Sequence, residues 1–345
     1  MKWIREEGPF GDVVLSSRVR LARNLSDVPF PPLMDERTAE AVVQRVRASI
    51  LGDASPVSDN YQFLAMKDIS PRDRHIMVEK HLISPDLLEH YERTAILVDD
   101  SEQICIMINE EDHIRMQCIC PGYQLDQAWQ NLDKVDDIIE AQLPYAFSET
   151  FGYLTCCPTN VGTGMRASIM MHLPGLVITG NMNSIVQAIS KIGLTVRGLY
   201  GEGSEAMGNI YQISNQVTLG VSEEEIIINL KAIAQQIIEK ERMARRALVQ
   251  NEGVRFEDNI WRAFGLLTNA RVMDIKEFMK LISQVRMGVD MGIIQGLNAK
   301  DLTELIILGQ PAHLAKYSEV ESASKDLDII RAKMVREKLN AILGA

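Results

Sequence analysis

The sequence has no apolar run of 18 residues, no apolar signal core near its start and no lipidation motif at either end. A chain with these absences is predicted to be neither membrane-spanning nor secreted. Its five cysteines are odd in number, sparse over 345 residues and without any CxxC pair. This pattern argues against a disulfide scaffold and against a cysteine zinc site, so a reducing cytoplasm is the expected compartment.

The sequence also lacks an excess of positive charge. Lys and Arg number 36 against 47 Asp and Glu, which gives a formal net charge of −11 at pH 7. Duplex nucleic-acid binders are more often basic, so no direct contact with nucleic acid is expected unless positive charge is locally concentrated. The length of 345 residues suits one large or two ordinary globular domains. Hydrophobic residues make up 46% and charged residues 24%, an ordinary globular balance that excludes wholesale disorder.

Hydrophobic periodicity divides the chain into a mixed first part and a helical second part. Helices are predicted over 35–51 and 126–143, and strands over 61–66, 104–108, 114–119, 169–173, 176–178 and 210–219. Ser222 and Glu225 have the spacing of a capping box. From there on, almost only helices are predicted, over 223–250, 256–269, 274–289, 299–308 and 327–343. We therefore predict an α+β domain over residues 12–245 and an all-helical domain over 246–345.

Arginine is the residue type whose placement has chemical meaning. A P-loop GxxxxGK[ST] motif and a dinucleotide-binding glycine pattern are both absent from the sequence. Arg18 and Arg20 are two residues apart, so on a strand they point to the same face. Other arginines follow an acidic turn or adjoin glycines, namely Arg115, Arg166 and Arg197. A polyphosphate needs several forked donors, although unrelated surface salt bridges are an alternative that the spacing alone slightly favours.

Acidic residues and a cysteine supply further candidates. The run Glu110–His113 is expected to form either a solvated turn or, less commonly, a metal site. His113 has no second histidine four residues on, so a zincin-like site is excluded. Glu202 stands between two glycines, which would present its carboxylate on a tightly turned backbone, although a surface-loop acid is the simpler interpretation. Cys157 has no identifiable histidine partner, and free cysteines are usually buried small hydrophobes.

Taken together, these segments resemble the catalytic domain of the phosphagen (ATP:guanido) kinases. The matching strings, in the family's order, are SSRVRLARN at 16–24, NEEDHIR at 109–115, CPTNVGTGMRAS at 157–168 and VRGLYGE at 196–202. The resemblance covers roughly residues 12–245 and implies an α+β fold with an antiparallel sheet flanked by helices. Creatine and arginine kinases have a helical domain before the SSRVR segment and lack a helical region after residue 245. The arrangement here resembles the bacterial protein arginine kinases of the same family.

The resemblance assigns roles to individual residues. Glu111 and Glu202 would hold the acceptor guanidinium through bidentate hydrogen bonds and favour its attacking form, with Cys157 in a supporting, polarising role. ATP and Mg²⁺ are implied, with no protein ligand for the metal. Backbone N–H groups of 167–170 and 198–201 are expected to complete a phosphate cradle. The implied ATP-binding residues are Ser16, Ser17, Arg18, Val19, Arg20, His81, Arg115, Arg166, Ala167, Ser168, Ile169, Met170, Arg197, Gly198, Leu199, Tyr200, Gly201 and Glu202.

The absence of the family's N-terminal domain implies a site open enough for an arginine within a polypeptide. The resemblance then implies ATP-dependent phosphorylation of arginine side chains in proteins, with a heat-shock repressor and clients of the Clp protease system as partners. It also leaves room for an activator protein and a homodimer. Two alternatives stay open. One is a catalytically weak regulator that binds nucleotide or phosphoarginine, and the other is a free-guanidine kinase.

The helical region carries a modified form of a family motif. The resembled enzymes recognise phosphoarginine allosterically through RDxxRA, and the matching stretch here is LDIIRA at 327–332. Asp328, Arg331 and Ala332 match, while Leu327 replaces the first arginine. A site with one arginine fewer should bind phosphoarginine more weakly. An amphipathic packing helix is the other interpretation of this stretch.

Overall fold

A computed structural model describes residues 2–53, 55–198, 206–318 and 326–344. The strands within these ranges are β1 (Val14–Arg23), β2 (Tyr61–Ala65), β3 (Ala95–Asp99), β4 (Ile104–Ile108), β5 (Ile114–Pro121), β6 (Phe147–Ser148), β7 (Gly152–Tyr153), β8 (Met165–His172), β9 (Leu194–Arg197) and β10 (Ile210–Asn215). The α-helices are α1 (Lys2–Arg5), α2 (Glu36–Leu51), α3 (Pro71–Glu79), α4 (Leu125–Glu140), α5 (Pro174–Ile178), α6 (Met182–Ser190), α7 (Glu223–Glu252), α8 (Val254–Asn269), α9 (Ile275–Asp290), α10 (Ala299–Leu308), α11 (Pro311–Ser318) and α12 (Leu327–Leu343). None of the helices in these ranges has the length and apolar content needed to cross a membrane.

Eight strands of the described residues form one antiparallel sheet in the order β2-β3-β4-β5-β1-β8-β10-β9, and β6 pairs with β7. The expected α+β fold with an antiparallel sheet is thus confirmed. Strand β1 lies at the centre, between β5 and β8. Its register places Arg20 opposite Gln117 on one side and opposite Arg166 on the other. The long β1 therefore brings together residues that are far apart in the sequence.

The two faces of the sheet contact different helices. Val19 and Leu21 of β1 belong to a hydrophobic cluster with residues of α2, α4, α6 and most of α7. Ile119 of β5 and Met170 of β8 lie in a second cluster, together with residues of α1 and of α8 to α12. The helical region therefore covers one end of the second face. Residue 245, the predicted domain boundary, lies inside α7, and the second cluster joins residues from both predicted domains.

Two predicted strands are wrong or too long. Residues 176–178 form the end of helix α5, because the buried carboxylate of Glu241 accepts hydrogen bonds from the backbone N–H groups of Gly175 and Leu176, both at 2.9 Å. Strand β10 stops at Asn215, whose side chain accepts from the N–H of Ala167 and donates to the carbonyl of Val217. A side chain that replaces the ladder partners in this way ends the strand.

The expected capping box at the start of α7 is confirmed. The hydroxyl of Ser222 accepts from the N–H of Glu225 at 3.1 Å, and the Glu225 carboxylate accepts from the N–H of Ser222 at 2.9 Å. Two of the N–H groups that a helix start leaves unpaired are thereby satisfied. This fixes the point at which the chain leaves the sheet and enters the helical region.

Candidate active site

Arginines occupy the face of the sheet to which Ile119 and Met170 belong, in the part that the C-terminal helices leave uncovered. Arg18 and Arg20 of β1 point to this face, as their spacing predicted, because Val19 between them is buried on the other. Arg115 of β5, Arg166 of β8 and Arg197 of β9 face the same space. The structure therefore brings together all five arginines that the sequence singled out, and the alternative of unrelated surface arginines is wrong.

Two adjoining cavities open over these arginines. The first has a volume of about 380 Å³ and is lined mainly by Arg18, Arg20, Val78, His81, Ile83, Ser84, Asp86, Met107, Arg115, Gln117, Arg197 and Gln212. The second has a volume of about 410 Å³, and its lining includes Arg20, Asp86, Glu111, Asp112, Arg115, Cys157, Thr159, Asn160, Arg166, Arg197 and Ser214. Arg20, Asp86, Arg115 and Arg197 line both cavities. The arrangement is one site with two compartments that meet at three arginines and one aspartate.

Arg18 and Arg20 are buried close to other cations. Burial, and then repulsion from Arg115, lower the pKa of Arg18 to about 10. Burial followed by the charges of Arg18, Arg115 and Arg166 holds the pKa of Arg20 well below its ordinary value. The buried Nε of Arg20 has no hydrogen-bond partner among the described residues. Buried cations in this state favour a bound anion, and several forked donors suit a polyphosphate.

Arg115 has an anionic partner in Glu110. Its Nη1 donates to both carboxylate oxygens of Glu110, at 2.6 and 2.7 Å. Burial is the largest single influence on the pKa of Arg115 and acts to lower it, but the charge and hydrogen bonds of Glu110, together with the charges of Glu111 and Asp86, raise the pKa overall. Glu110 was not predicted from the sequence as the partner of an arginine. The signal was its place in the NEEDHIR string, but spacing alone does not show which carboxylate of the run pairs with the arginine.

The acidic run is not the solvated turn that the sequence suggested. Glu110 is 6% exposed, and Asp112 and His113 are fully buried. One oxygen of Asp112 accepts from the side-chain amide of Asn24 at 2.6 Å and from the N–H of Cys156 at 2.7 Å. The run is therefore fixed at several points, and Glu111 is the member presented to the second cavity. Within the described ranges, no three His, Cys, Asp or Glu side chains are grouped as a metal site would require.

Glu111 and Cys157 line the same compartment, as the resemblance implied. Burial, and then the neighbouring charge of Asp112, raise the pKa of Glu111 above its ordinary value. The Cys157 sulfur lies 3.1 Å from the hydroxyl of Thr159. Because Asp112 holds the N–H of Cys156, the acidic turn and the cysteine segment are fixed to each other. An exposed carboxylate and a partly buried thiol therefore face a cavity whose other wall is cationic.

Arg166 is held by the segment that follows the cysteine. Its guanidinium donates to the side chain of Asn160 at 3.1 Å, to the carbonyl and hydroxyl of Thr159 at 3.2 and 3.0 Å, and to the carbonyl of Asn215 at 3.0 Å. These contacts use the planar fork of an arginine in three directions. Thr159 and Asn160 were also missed as site residues, although both lie within the CPTNVGTGMRAS string.

His81 lines the first cavity in an unusual backbone conformation. It follows α3 with φ at 59°, in the left-handed region. Its N–H donates to the carbonyl of Val78 at 2.8 Å, and the N–H of Leu82 donates to the carbonyl of Met77 at 2.9 Å. This pair of hydrogen bonds is the Schellman motif, which usually places glycine where His81 stands. Backbone strain at a residue that lines a cavity points to a functional use of its side chain.

Several residues implied to bind ATP are not brought to the cavities by their side chains. Ser17, Val19, Ala167 and Ile169 point to the opposite face, where Ser17 donates to the carbonyl of Gly122 and the other three join the first hydrophobic cluster. The expected backbone cradle at 167–170 is also wrong. Strand β8 lies between β1 and β10, so the sheet uses its amides, and the N–H of Ala167 donates to Asn215.

The remaining predicted residues divide into three groups. Ser16, Ser168 and Met170 line a small pocket beside His81. Gly198 is buried at the end of β9. Leu199, Tyr200, Gly201 and Glu202, the last of them the second predicted carboxylate, lie outside the described residues.

The motif in the helical region has a clear packing role. Arg331 is 2% exposed, and its guanidinium donates to the carbonyl of Gly309 at 2.9 Å, to that of Met273 at 2.8 Å and to the Asp328 carboxylate at 2.6 Å. Ala332 is fully buried, and Leu327 packs against the second hydrophobic cluster. These contacts tie α12 to the segments before α9 and after α10.

Comparison with known proteins agrees with this geometry. A family model described as the ATP:guanido phosphotransferase C-terminal catalytic domain matches residues 41–244, more than half of the chain. The chain belongs to the ATP:guanido phosphotransferase family. A second model, described as the protein-arginine kinase McsB C-terminal domain, matches residues 253–344. The predicted family membership is confirmed, and the chain is a kinase of this family.

Bacterial relatives match the chain over nearly all of the sequence. The chain is 49% identical to a protein-arginine kinase of Bacillus licheniformis over 98% of this chain and 93% of the relative. It is 50% identical to one of Caldanaerobacter subterraneus subsp. tengcongensis, over 95% of this chain and 97% of the relative.

Solved structures show the same fold at lower sequence identity. The crystal structure of lombricine kinase has a TM-score of 0.59 at 24% identity and covers 67% of both chains. The duplicated taurocyamine kinase of Schistosoma mansoni has a TM-score of 0.60 at 23% identity, over 78% of this chain and 39% of that chain.

Proposed function

We propose that this phosphotransferase transfers the γ-phosphoryl group of ATP to arginine side chains of proteins. The observation that carries the proposal is the pair of cavities that share a group of arginines. One compartment adds His81 and apolar side chains, and the other adds Glu111 and Cys157. The nearly full-length similarity to protein-arginine kinases supports a protein as the acceptor.

In this proposal the first cavity takes the nucleotide. Val78, Ile83 and Met107 supply apolar wall, and the arginines at the junction bind the phosphates through forked, charge-assisted hydrogen bonds. The unpartnered Nε of Arg20 fits this assignment, because a phosphate oxygen would satisfy it. Mg²⁺ would enter with the nucleotide phosphates and neutralise part of their charge.

The second cavity takes the acceptor guanidinium. Glu111 accepts its hydrogen bonds and orients one nitrogen toward the phosphorus, and its raised pKa suits a group that receives a proton. The N–P bond forms as the bond from phosphorus to the β,γ-bridging oxygen breaks, ADP leaves, and the nitrogen loses a proton. Cys157 lies against the same compartment in a supporting role, and Glu202 is proposed as the second carboxylate on the strength of the family resemblance.

The resemblance extends the proposal to the cell. We place the activity in the cytoplasm, in the stress response, where phosphorylation of a heat-shock repressor and of other proteins marks them for degradation by a Clp-type system. Phosphorylation replaces a donor fork of charge +1 by an anionic group, which reverses the local electrostatics of the substrate. An activator protein, a homodimer and control by phosphoarginine through Asp328 and Arg331 are parts of the same proposal.

The function is tested by incubating the protein with Mg-ATP and a casein-like protein, followed by mass spectrometry for phosphoarginine. Free arginine at matched arginine concentration is the second acceptor. We expect phosphoarginine on the protein and much less on free arginine. Preferential phosphorylation of free arginine would favour a free-guanidine kinase. Nucleotide binding without any transfer would favour a regulatory protein.

Replacing Arg166 by lysine should lower kcat/KM by about 10- to 100-fold, because a point charge cannot donate in three directions and each charge-assisted hydrogen bond contributes about 1.5–3 kcal/mol. Steady-state kinetics with ATP and a protein acceptor provide the measurement. Lys134→Arg is a control in which the charge is kept on an exposed part of α4. Near-normal kinetics of the Arg166 variant would remove this arginine from the site.

His81→Gly and His81→Ala form a matched pair. Both remove the imidazole from the first cavity, so both should raise the KM for ATP to a similar extent. The glycine variant should have the higher free energy of unfolding, by about 1 kcal/mol, because alanine keeps the cost of the left-handed conformation and glycine does not. Urea unfolding and ATP kinetics measure the two effects. Equal stability of the variants would show that φ at this position stores no strain.

A further inference from the structure

Helix α11 begins on a carboxylate that comes from α3. The N–H of Ala312 donates to Oε1 of Glu79 at 2.7 Å, and the N–H of His313 donates to Oε2 at 3.0 Å. The Nδ1 of His313 lies 2.6 Å from the same Oε2. The first N–H groups of a helix have no partners within the helix, so a carboxylate that accepts two of them is bound firmly. Glu79 thus fastens the helical region to the last residue of α3.

The end of α3 is also a wall of the first cavity. Val78 and His81, on either side of Glu79 and Lys80, both line it. The turn that carries His81 is fixed from the other side by Gln117, whose amide donates to the carbonyls of His81 and Leu82 at 2.8 and 2.7 Å. The direction of the imidazole therefore depends on where α3 ends, and this position is set by α11.

A second contact connects His81 to the helical region. The ring of Trp3 lies 5.8 Å from the ring of His81, centroid to centroid, and Trp3 is 3% exposed. Trp3 belongs to α1, which packs against α10 and β5. His81 therefore lies between two elements, α1 and the end of α3, and each of them rests on a helix of the region 299–318. Buried, close-packed contacts of this kind transmit displacements.

We propose that Glu79 is a positioning residue for the nucleotide. By holding the end of α3 on α11, it sets His81 and Val78 in the first cavity, and the helical region thereby shapes the compartment that binds ATP. This inference rests on the proposed function, in which the first cavity takes the nucleotide. It assigns the helical region a part in nucleotide affinity that does not require any ligand in that region.

Glu79→Gln in the full-length protein is the direct test. The amide would turn its NH₂ group toward one of the two backbone N–H donors, and that hydrogen bond would be lost. The contact between α3 and α11 is then weaker, while the shape of the side chain is unchanged. We expect the KM for ATP to rise by about tenfold or more, with kcat and the KM for the protein acceptor within about twofold of the parent. Lys316→Ala is the matched control. It breaks the exposed ion pair between Lys316 and Asp73 (2.8 Å), which joins the same two helices, and should leave the KM for ATP unchanged.

A double-mutant cycle with His81→Gly tests the route of the effect. If Glu79 acts through His81, adding Glu79→Gln to His81→Gly should raise the KM for ATP by less than about twofold further, whereas independent sites would give additive effects. Full additivity would overturn the positioning role. So would an unchanged KM for ATP in a folded Glu79→Gln variant.

A milder variant covers the case in which Glu79→Gln does not fold. His313→Ala removes one of the three contacts with Glu79 and keeps both backbone hydrogen bonds. It should raise the KM for ATP by about two- to threefold, and no rise would contradict the proposal. Failure of the parent protein to bind ATP at all, measured by calorimetry, would instead overturn the proposed function.

Discussion

Glu111→Gln is expected to lower kcat by roughly two to four orders of magnitude, while the fold and the affinity for ATP stay as in the parent. Glutamine keeps the shape of the side chain but presents only one acceptor to the guanidinium and cannot take up its proton. The nucleotide is unaffected because Glu111 lines the second cavity and not the first. Rapid-quench kinetics of phosphoarginine formation and calorimetric titration of ATP measure the two quantities separately.

Two controls sharpen this expectation. Glu111→Asp keeps the carboxylate and withdraws it by one methylene, so it should fall between the parent and the glutamine variant if both charge and reach matter. Glu149→Gln removes an exposed carboxylate from the loop between β6 and β7 and should leave kcat unchanged. A loss of ATP affinity in a folded Glu111→Gln variant would show that this carboxylate acts on the nucleotide or on Arg115 and not on the acceptor.

Local patterns predicted much of the fold. Helices α10 and α12 have the predicted bounds, and the capping box at Ser222 starts α7 as expected. The two misassigned strand segments, 176–178 and 210–219, fail for a common reason. The Glu241 carboxylate accepts hydrogen bonds from the backbone of Gly175 and Leu176. The Asn215 side chain, at the end of β10, accepts one from the backbone of Ala167. These polar contacts override the preference of short apolar segments for a strand. Short apolar runs do not encode such partners.

In the candidate site, too, features that depend on local spacing could be predicted, and features that depend on long-range contacts could not. The spacing of Arg18 and Arg20 predicts a shared face, because alternation along a strand is a local property. The pairing of Glu110 with Arg115 and the hold of Asp112 on Asn24 and Cys156 depend on side-chain directions and on contacts made across distant parts of the chain. The clearest case is Glu79, which lies more than 230 residues from the helix it caps. Such contacts follow from the packed fold and not from spacing.

The second large effect concerns Arg20, where activity and stability should change in opposite directions. Arg20→Met is expected to lower kcat/KM for ATP by about 100-fold or more, because it removes a forked donor from the point where the two cavities meet. The same change should raise the free energy of unfolding. Burial and three neighbouring arginines lower the pKa of Arg20 in the fold, so the charged form is less favourable there than in the unfolded chain.

The lowered pKa means that folding with a charged Arg20 costs free energy. This cost is present at every pH at which the unfolded arginine is charged, and the methionine variant no longer has it. Replacement of buried ionic groups by well-packed apolar residues of similar volume is often neutral or stabilising by roughly 1–4 kcal/mol. The expected rise in the free energy of unfolding falls in this range, and urea unfolding of the unliganded protein measures it. Added ATP should stabilise the parent more than the variant, because the bound phosphates compensate a charge that the variant no longer has.

Arg115→Met is the matched control. It makes the same substitution at the same junction, but the free energy of unfolding is expected to fall and not to rise. Arg115 is paired with Glu110, whose side chain is 1% exposed, so its loss leaves a buried carboxylate without its cation. Breaking a buried pair in this way costs about 3–5 kcal/mol. A stabilised Arg20→Met beside a destabilised Arg115→Met would show that Glu110 compensates Arg115 in the fold, whereas the charge of Arg20 is compensated by the bound phosphates. If Arg20→Met is destabilised to the same extent, Arg20 is a structural residue, and the phosphate-binding role assigned to its charge is wrong.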